Sequence, residues 1–165
     1  GQQLWVTVII SNTNAGHHVP TDHPGRHLIL TVTAANQDGH LLSQTSGDKV
    51  PVWGGLQAGL PGKAFAKVLR DVQTGAYPVV SYWKQTSILT DNRIAAFAAD
   101  SSRYAFTLPS QGGQVTIQAE LLFRRNFQAE MDARGWQEAD IPMEVITQQL
   151  SISSAQVLFI PIVRR

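Results

Sequence analysis

The chain has 165 residues, a charged fraction of 15% and a formal net charge of +1, so it suffices for one domain with a core and lacks the basic face that an electrostatic nucleic-acid binder needs. It has no cysteine, which excludes disulfides, zinc–thiolate sites, a cysteine nucleophile and covalent c-type haem held through Cys-x-x-Cys-His. No run approaches the roughly eighteen apolar residues needed to span a membrane, so no membrane insertion is expected.

No basic stretch leads into an apolar one at the start, and the chain enters a strand at Leu4. It therefore reads as a single domain over residues 1–165, a mature fragment or an excised domain of a larger protein. Residues 4–10 are rich in β-branched side chains and stop at the turn formers 11–14. A turn-rich stretch follows, punctuated by Gly16, Pro20, Pro24 and Gly25. Residues 28–34 form a second strand. Asp38-Gly39 then signals a hairpin, with residues 40–44 returning as its partner strand. Residues 48–62 carry four glycines and two prolines and read as a long loop with at most a short strand. Residues 64–69 read as strand, 71–78 as turn, 79–83 as a short strand and 90–94 as loop. Residues 103–108 alternate apolar and polar, ending at Pro109. Residues 115–123 alternate again, with Val115, Ile117, Ala119 and Leu121 on one face. Between 126 and 134 the period changes: Phe127, Met131 and Trp136 have near-helical spacing, and Gly135 is a natural C-cap. Residues 150–153 and 157–160 read as closing strands. The expected fold is all-β: an antiparallel β-sandwich, Ig-like or jelly-roll-like, with one short helix near residues 126–134. Sparse charge with many Thr, Ser, Gln, Asn and Gly fits an extracytoplasmic setting, periplasmic or extracellular.

Four of the five histidines, His17, His18, His23 and His27, fall within eleven residues. Histidine ligates metal, moves protons near neutral pH and faces haem. One reading is a zinc or copper site from His17, Asp22 and His23, with His27 a further ligand. Another turns His17 or His18 toward a redox cofactor on a partner. The ordinary reading is structural, with ring nitrogens bonding the backbone of a turn, and the spacing matches no established zinc signature. Asp91 and Arg93 read as a substrate clamp or, more ordinarily, as a loop tether. Arg124 and Arg125 read as a site for an anion such as a haem propionate or as a solvated pair at a strand end. The acids Asp71, Asp132, Glu138, Asp140 and Glu144 show no spacing for paired acid–base work, and no nucleophile triad, phosphate loop or dinucleotide fingerprint occurs. Trp5, Trp53, Trp83 and Trp136 read as core aromatics, or as the stacking platform of a carbohydrate-binding or adhesive domain.

Three segments together resemble a known family. Asn12-Thr13-Asn14-Ala15-Gly16-His17-His18-Val19-Pro20-Thr21, followed by Arg26, is similar to an Asn-x-x-Ala-Gly-His-x-x-Pro-Thr-Gly motif. Thr90-Asp91-Asn92-Arg93-Ile94, with the later Tyr104-Ala105-Phe106-Thr107-Leu108-Pro109, resembles an Asp-Thr-Arg-Ile loop and its strand. Leu121-Leu122-Phe123-Arg124-Arg125-Asn126-Phe127, running on to Asp140-Ile141-Pro142-Met143-Glu144, resembles a Leu-x-Tyr-Arg-Arg strand end and an Asp-Ile-x-Met-Glu tail. These motifs occur in the haem-free β-domain at the C-terminal end of bacterial multihaem cytochromes c. Asp22 stands where the motif has glycine, and Asn92 where it has threonine. The resemblance implies a non-catalytic accessory domain in extracytoplasmic electron transfer. Its partners would be a multihaem cytochrome module or neighbouring subunits, an oligomer among the arrangements. Haem would lie only on a partner or on the rest of the parent chain. His17 alone matches the motif histidine.

Overall fold

The computed structural model describes residues 2–153 and 159–162. The expected all-β sandwich is present. One sheet has the order β10-β1-β7-β3 and the other β4-β2-β8-β9, with a separate β5–β6 hairpin. The strands are β1 (Gln3–Ser11), β2 (His27–Asn36), β3 (Gln44–Ser46), β4 (Gly62–Phe65), β5 (Lys67–Asp71), β6 (Thr86–Asp91), β7 (Ala99–Thr107), β8 (Gly113–Arg124), β9 (Ile141–Ile152) and β10 (Phe159–Ile162). Among the described residues all strand pairings are antiparallel except β1 with β10.

The core lies between the two sheets and follows the period-2 rule. Leu4, Val6 and Val8 of β1 meet Leu28, Leu30 and Val32 of β2, Tyr104 and Phe106 of β7, and Val115, Ile117 and Ala119 of β8. A smaller cluster, Ile29, Val50, Ala64 and Leu122 with the half-buried Trp53, covers the other face of the second sheet.

Five departures from the sequence reading are instructive. The hairpin after β2 is real: Asn36 Oδ1 accepts the N–H groups of Asp38 and His40, and Gly39 takes φ +80°. Residues 40–44 do not return as a full partner strand. Pairing ends at the Ala35–Leu41 bridge, and the chain crosses to join β7 as β3. The single strand read over 64–69 divides at Ala66, with β4 in the main sheet and β5 in the hairpin. Thr90 and Asp91 therefore close β6 rather than lying in a loop. Residues 79–83 form no strand: Val79 and Val80 are buried while Tyr82 and Trp83 face solvent. Strand β9 runs for 12 residues, whereas the sequence predicts strand there only from residue 150. Residues 157 and 158 of the last expected strand lie outside the described residues.

The expected helix forms as α1 (Gln128–Arg134), ending on Gly135 at φ +67°, whose N–H donates to Asp132 O. That left-handed position is why glycine stands there. Met131 is its buried residue.

Candidate functional site

Parts of all three motif segments meet at one end of the sandwich, whereas residues 104–109 run to the other end, where Thr107 stands opposite Gln3. Loop 12–26 joins β1 of one sheet to β2 of the other. His27 opens β2 opposite Arg124, the last residue of β8, and Ile141 opens β9 opposite Phe123.

Asn12, the first motif residue, organises the loop. It is buried, and its Nδ2 donates to the carbonyls of His17 (2.8 Å), Ala95 (3.0 Å) and Ile94 (3.3 Å), while its Oδ1 accepts Ala15 N–H. Val19 and Ile94 exchange both backbone bonds, docking the loop on the segment after β6. Asn92 stitches that segment to the sheet, accepting from Ala66 N and donating to Ala64 O. Arg93 forms a two-point pair with Asp91 at 2.8 and 2.7 Å. Arg93 holds the Asp91 carboxyl below its ordinary range, and Asp91 raises Arg93 in turn. The pair thus closes on itself beside the loop.

The histidines part company. His17 and His18 are exposed, and His17 Nδ1 lies 2.9 Å from His18 O. His23 is half-buried, its ring edge-on to Tyr82. His27 is fully buried. Gly25 sets the tautomer of two of them: its N–H donates to His23 Nδ1 (3.0 Å), and its carbonyl accepts from His27 Nδ1 (2.8 Å). His23 therefore carries its proton on Nε2 when neutral, and His27 on Nδ1. Asp22 pairs with Arg26 at 3.0 Å. Among the described residues no three His, Cys, Asp or Glu side chains gather to hold a metal ion, so His17, Asp22 and His23 do not form such a group, although Asp22 and His23 line one cleft.

The reading of Arg124-Arg125 as a solvated pair is corrected for its first member. Arg125 is exposed and meets Glu138 at 3.3 Å, but the Arg124 side chain is only 3% exposed. Arg124 forks onto Asp140 at 2.5 and 2.6 Å, donates to Gly54 O at 2.8 Å and to Gln57 Oε1 at 2.6 Å. The reason is the 3-10 segment Val52–Gln57, which lies over the outer face of the second sheet and supplies carbonyl and amide acceptors that replace water. Gly55 (φ +63°) permits the approach, since a Cβ there would come within 2.8 Å of Arg124 Nη1. Beside this pair, His27 stacks on Phe127 (4.9 Å between centroids) and meets Trp53 edge-on at 5.4 Å. His27 Nε2 has no hydrogen-bond partner among the described residues. Burial drives its pKa from 6.5 to about 4, with the Gly25 carbonyl opposing the shift and the Arg124 cation adding to it.

The expectation that the tryptophans are core residues is also corrected. Trp5 is half-buried under the Arg103 guanidinium, Trp53 is half-buried against His27, and Trp83 (77%) and Trp136 (46%) are exposed. Sequence reasoning missed His27, Asp140 and Gln57 as one cluster. The available signal was Trp53-Gly54-Gly55, a small-residue step beside an aromatic. At the same end a cleft of about 610 Å3 opens between loop 12–26, Tyr82 and the segment after α1.

No family model matches the chain, and no curated protein sequence matches it. The fold is similar to part of a penta-heme cytochrome c552 from Thermochromatium tepidum, at 23% identity and a TM-score of 0.63, covering 87% of this chain and 35% of that one. The chain thus spans about a third of that cytochrome's length. The likeness is one of fold.

Proposed function

We propose that this domain is a haem-free accessory module of extracytoplasmic electron transfer, docking on a multihaem cytochrome module through the end that carries loop 12–26. The observation that carries the docking face is its exposed apolar surface. Tyr82 (74% exposed), Trp83, Phe97 (75%) and Trp136 stand at that end, and Val52 and Leu56 project from the 3-10 segment. Large apolar groups grouped on a surface mark contact with another molecule. The nature of the partner is supported by the motif resemblance and by the fold likeness to a stretch of a penta-heme cytochrome.

The rest of the end suits a rigid docking platform. Ion pairs brace it from within: Arg124 with Asp140, Arg93 with Asp91, and Lys84 with Asp71. His17, exposed at the tip of the loop and held through its carbonyl by Asn12, is the residue we assign to the partner-facing surface. Cross-linking of the native complex through lysine side chains tests this. Lys67 and Lys84 flank the docking end and should link to peptides bearing Cys-x-x-Cys-His. Abundant links from both lysines that never reach such a peptide would contradict the proposal.

A further inference from the structure

The cleft of about 610 Å3 at the docking end has the make-up of a ligand site, and we propose that it binds a planar aromatic carboxylate. Its volume lies in the range of small-molecule sites. Its walls are aromatic and come from separate segments: His23 from loop 12–26, Tyr82 from the loop before β6, and Trp136 from the turn after α1. His23 and Tyr82 are already set edge-to-face at 5.7 Å, which leaves ring faces for a flat ligand. Arg26 and Arg125 also line it, each beside an acid that lines it too, Asp22 and Glu138.

Two features favour an anion over a cation. His23 accepts Gly25 N–H on Nδ1, so its other nitrogen is a donor, and the Trp136 indole can only donate. The two guanidiniums are loosely held: Arg26 meets Asp22 at 3.0 Å with side-chain exposures of 41% and 68%, and Arg125 meets Glu138 at 3.3 Å with 61% and 43%. Exposed single-point pairs of this kind contribute little and exchange readily, whereas the buried Arg124 is locked in its fork. A ligand carboxylate that takes both N–H groups of one guanidinium replaces a poor contact with a two-point one. The site is also built to hold shape. Gly25 is buried, and a Cβ on it would fall 2.1 Å from Asn126 Oδ1 and 3.0 Å from His23 Nδ1.

The carboxylate-bearing edge of a partner's haem and a free aromatic acid offer the same chemistry, so two probes are used. Tryptophan fluorescence of the purified chain is titrated with 2-naphthoate, with its neutral analogue 2-naphthamide, and with metal-free protoporphyrin IX. Naphthoate should bind saturably and at least tenfold more tightly than the amide. Arg125→Gln should weaken it about tenfold, and Glu138→Gln, which frees Arg125, should tighten it severalfold. All these side chains are exposed, and unchanged thermal unfolding confirms that the variants fold. Naphthoate binding without porphyrin binding assigns the site to a free acid; porphyrin binding with the same variant pattern extends it to a haem edge. Equal binding of amide and acid, or weaker binding in Glu138→Gln, overturns the proposal, as does no saturable binding of either acid. None of these results bears on the cross-links that test the docking itself.

Discussion

His27 shows how burial alone gives one histidine a property its neighbours in the loop lack. Its ring is enclosed by Phe127 and Trp53, with Nε2 bare and the Arg124 cation nearby. The folded chain therefore holds it neutral down to about pH 4, whereas the unfolded chain protonates it near 6.5. Between those values the unfolded state binds the extra proton, so stability is full above pH 6.5 and falls as pH drops toward 4, by roughly 3 kcal/mol. Urea unfolding across this window should show that slope, and His27→Gln should flatten it. Asp71, held down to about 2 chiefly by Lys84, loses its contribution only below about pH 4, outside the window. Arg124 gives a second residue-scale prediction. Arg124→Ala strands Asp140, Gly54 O and Gln57 in a poorly solvated place and should cost about 3–5 kcal/mol in unfolding free energy, while Arg125→Ala, at the exposed neighbour, should cost less than about 1. The two arginines are adjacent in sequence, and nothing local distinguishes them. Strand alternation puts them on opposite faces, and only the 3-10 segment, some seventy positions away, decides which one is buried.

At the scale of elements, legibility followed local signal. The helix near 126–134 was readable because its period and its glycine cap both lie within a dozen residues. Strands β1, β2, β7 and β8 were readable because each puts β-branched or aromatic side chains into one core at alternate positions. Strand β9 was not. It is the edge of its sheet: Thr147, Gln149 and Ser151 are exposed on one face while Ile146, Leu150 and Ile152 reach the core on the other, and Pro142 and the polar run 147–149 dilute that alternation in the sequence. Its strand character comes from β8, which pairs with it along its length. The split of residues 64–69 was likewise hidden, because its cause is Asn92, far along the chain. Gly25 belongs to this scale too, joining loop to strand with no room for a side chain. Gly25→Ala should force Asn126 or the loop to move and destabilise the domain by about 1–3 kcal/mol. In NMR spectra, the His23 and His27 ring signals should shift together, while those of His40, at the far hairpin, stay fixed.

For the whole molecule, the site's parts were visible as motifs but not as an assembly. His17 was the residue singled out by pattern, and the structure puts it at an exposed loop tip. The cluster beneath it, His27, Arg124 and Asp140, holds loop, sheet, 3-10 segment and helix together and gives the end its fixed shape. Exposed Tyr82, Trp83, Phe97 and Trp136 lie around that anchored end, where burial on a partner would remove them from water. The measurement that tests this account most directly is the haem content of the protein isolated gently from its native cells, with whatever polypeptide is attached to it. The account predicts several covalent c-type haems per copy of this domain, carried on the same polypeptide or on a tightly bound one. A homogeneous native preparation without haem would contradict it.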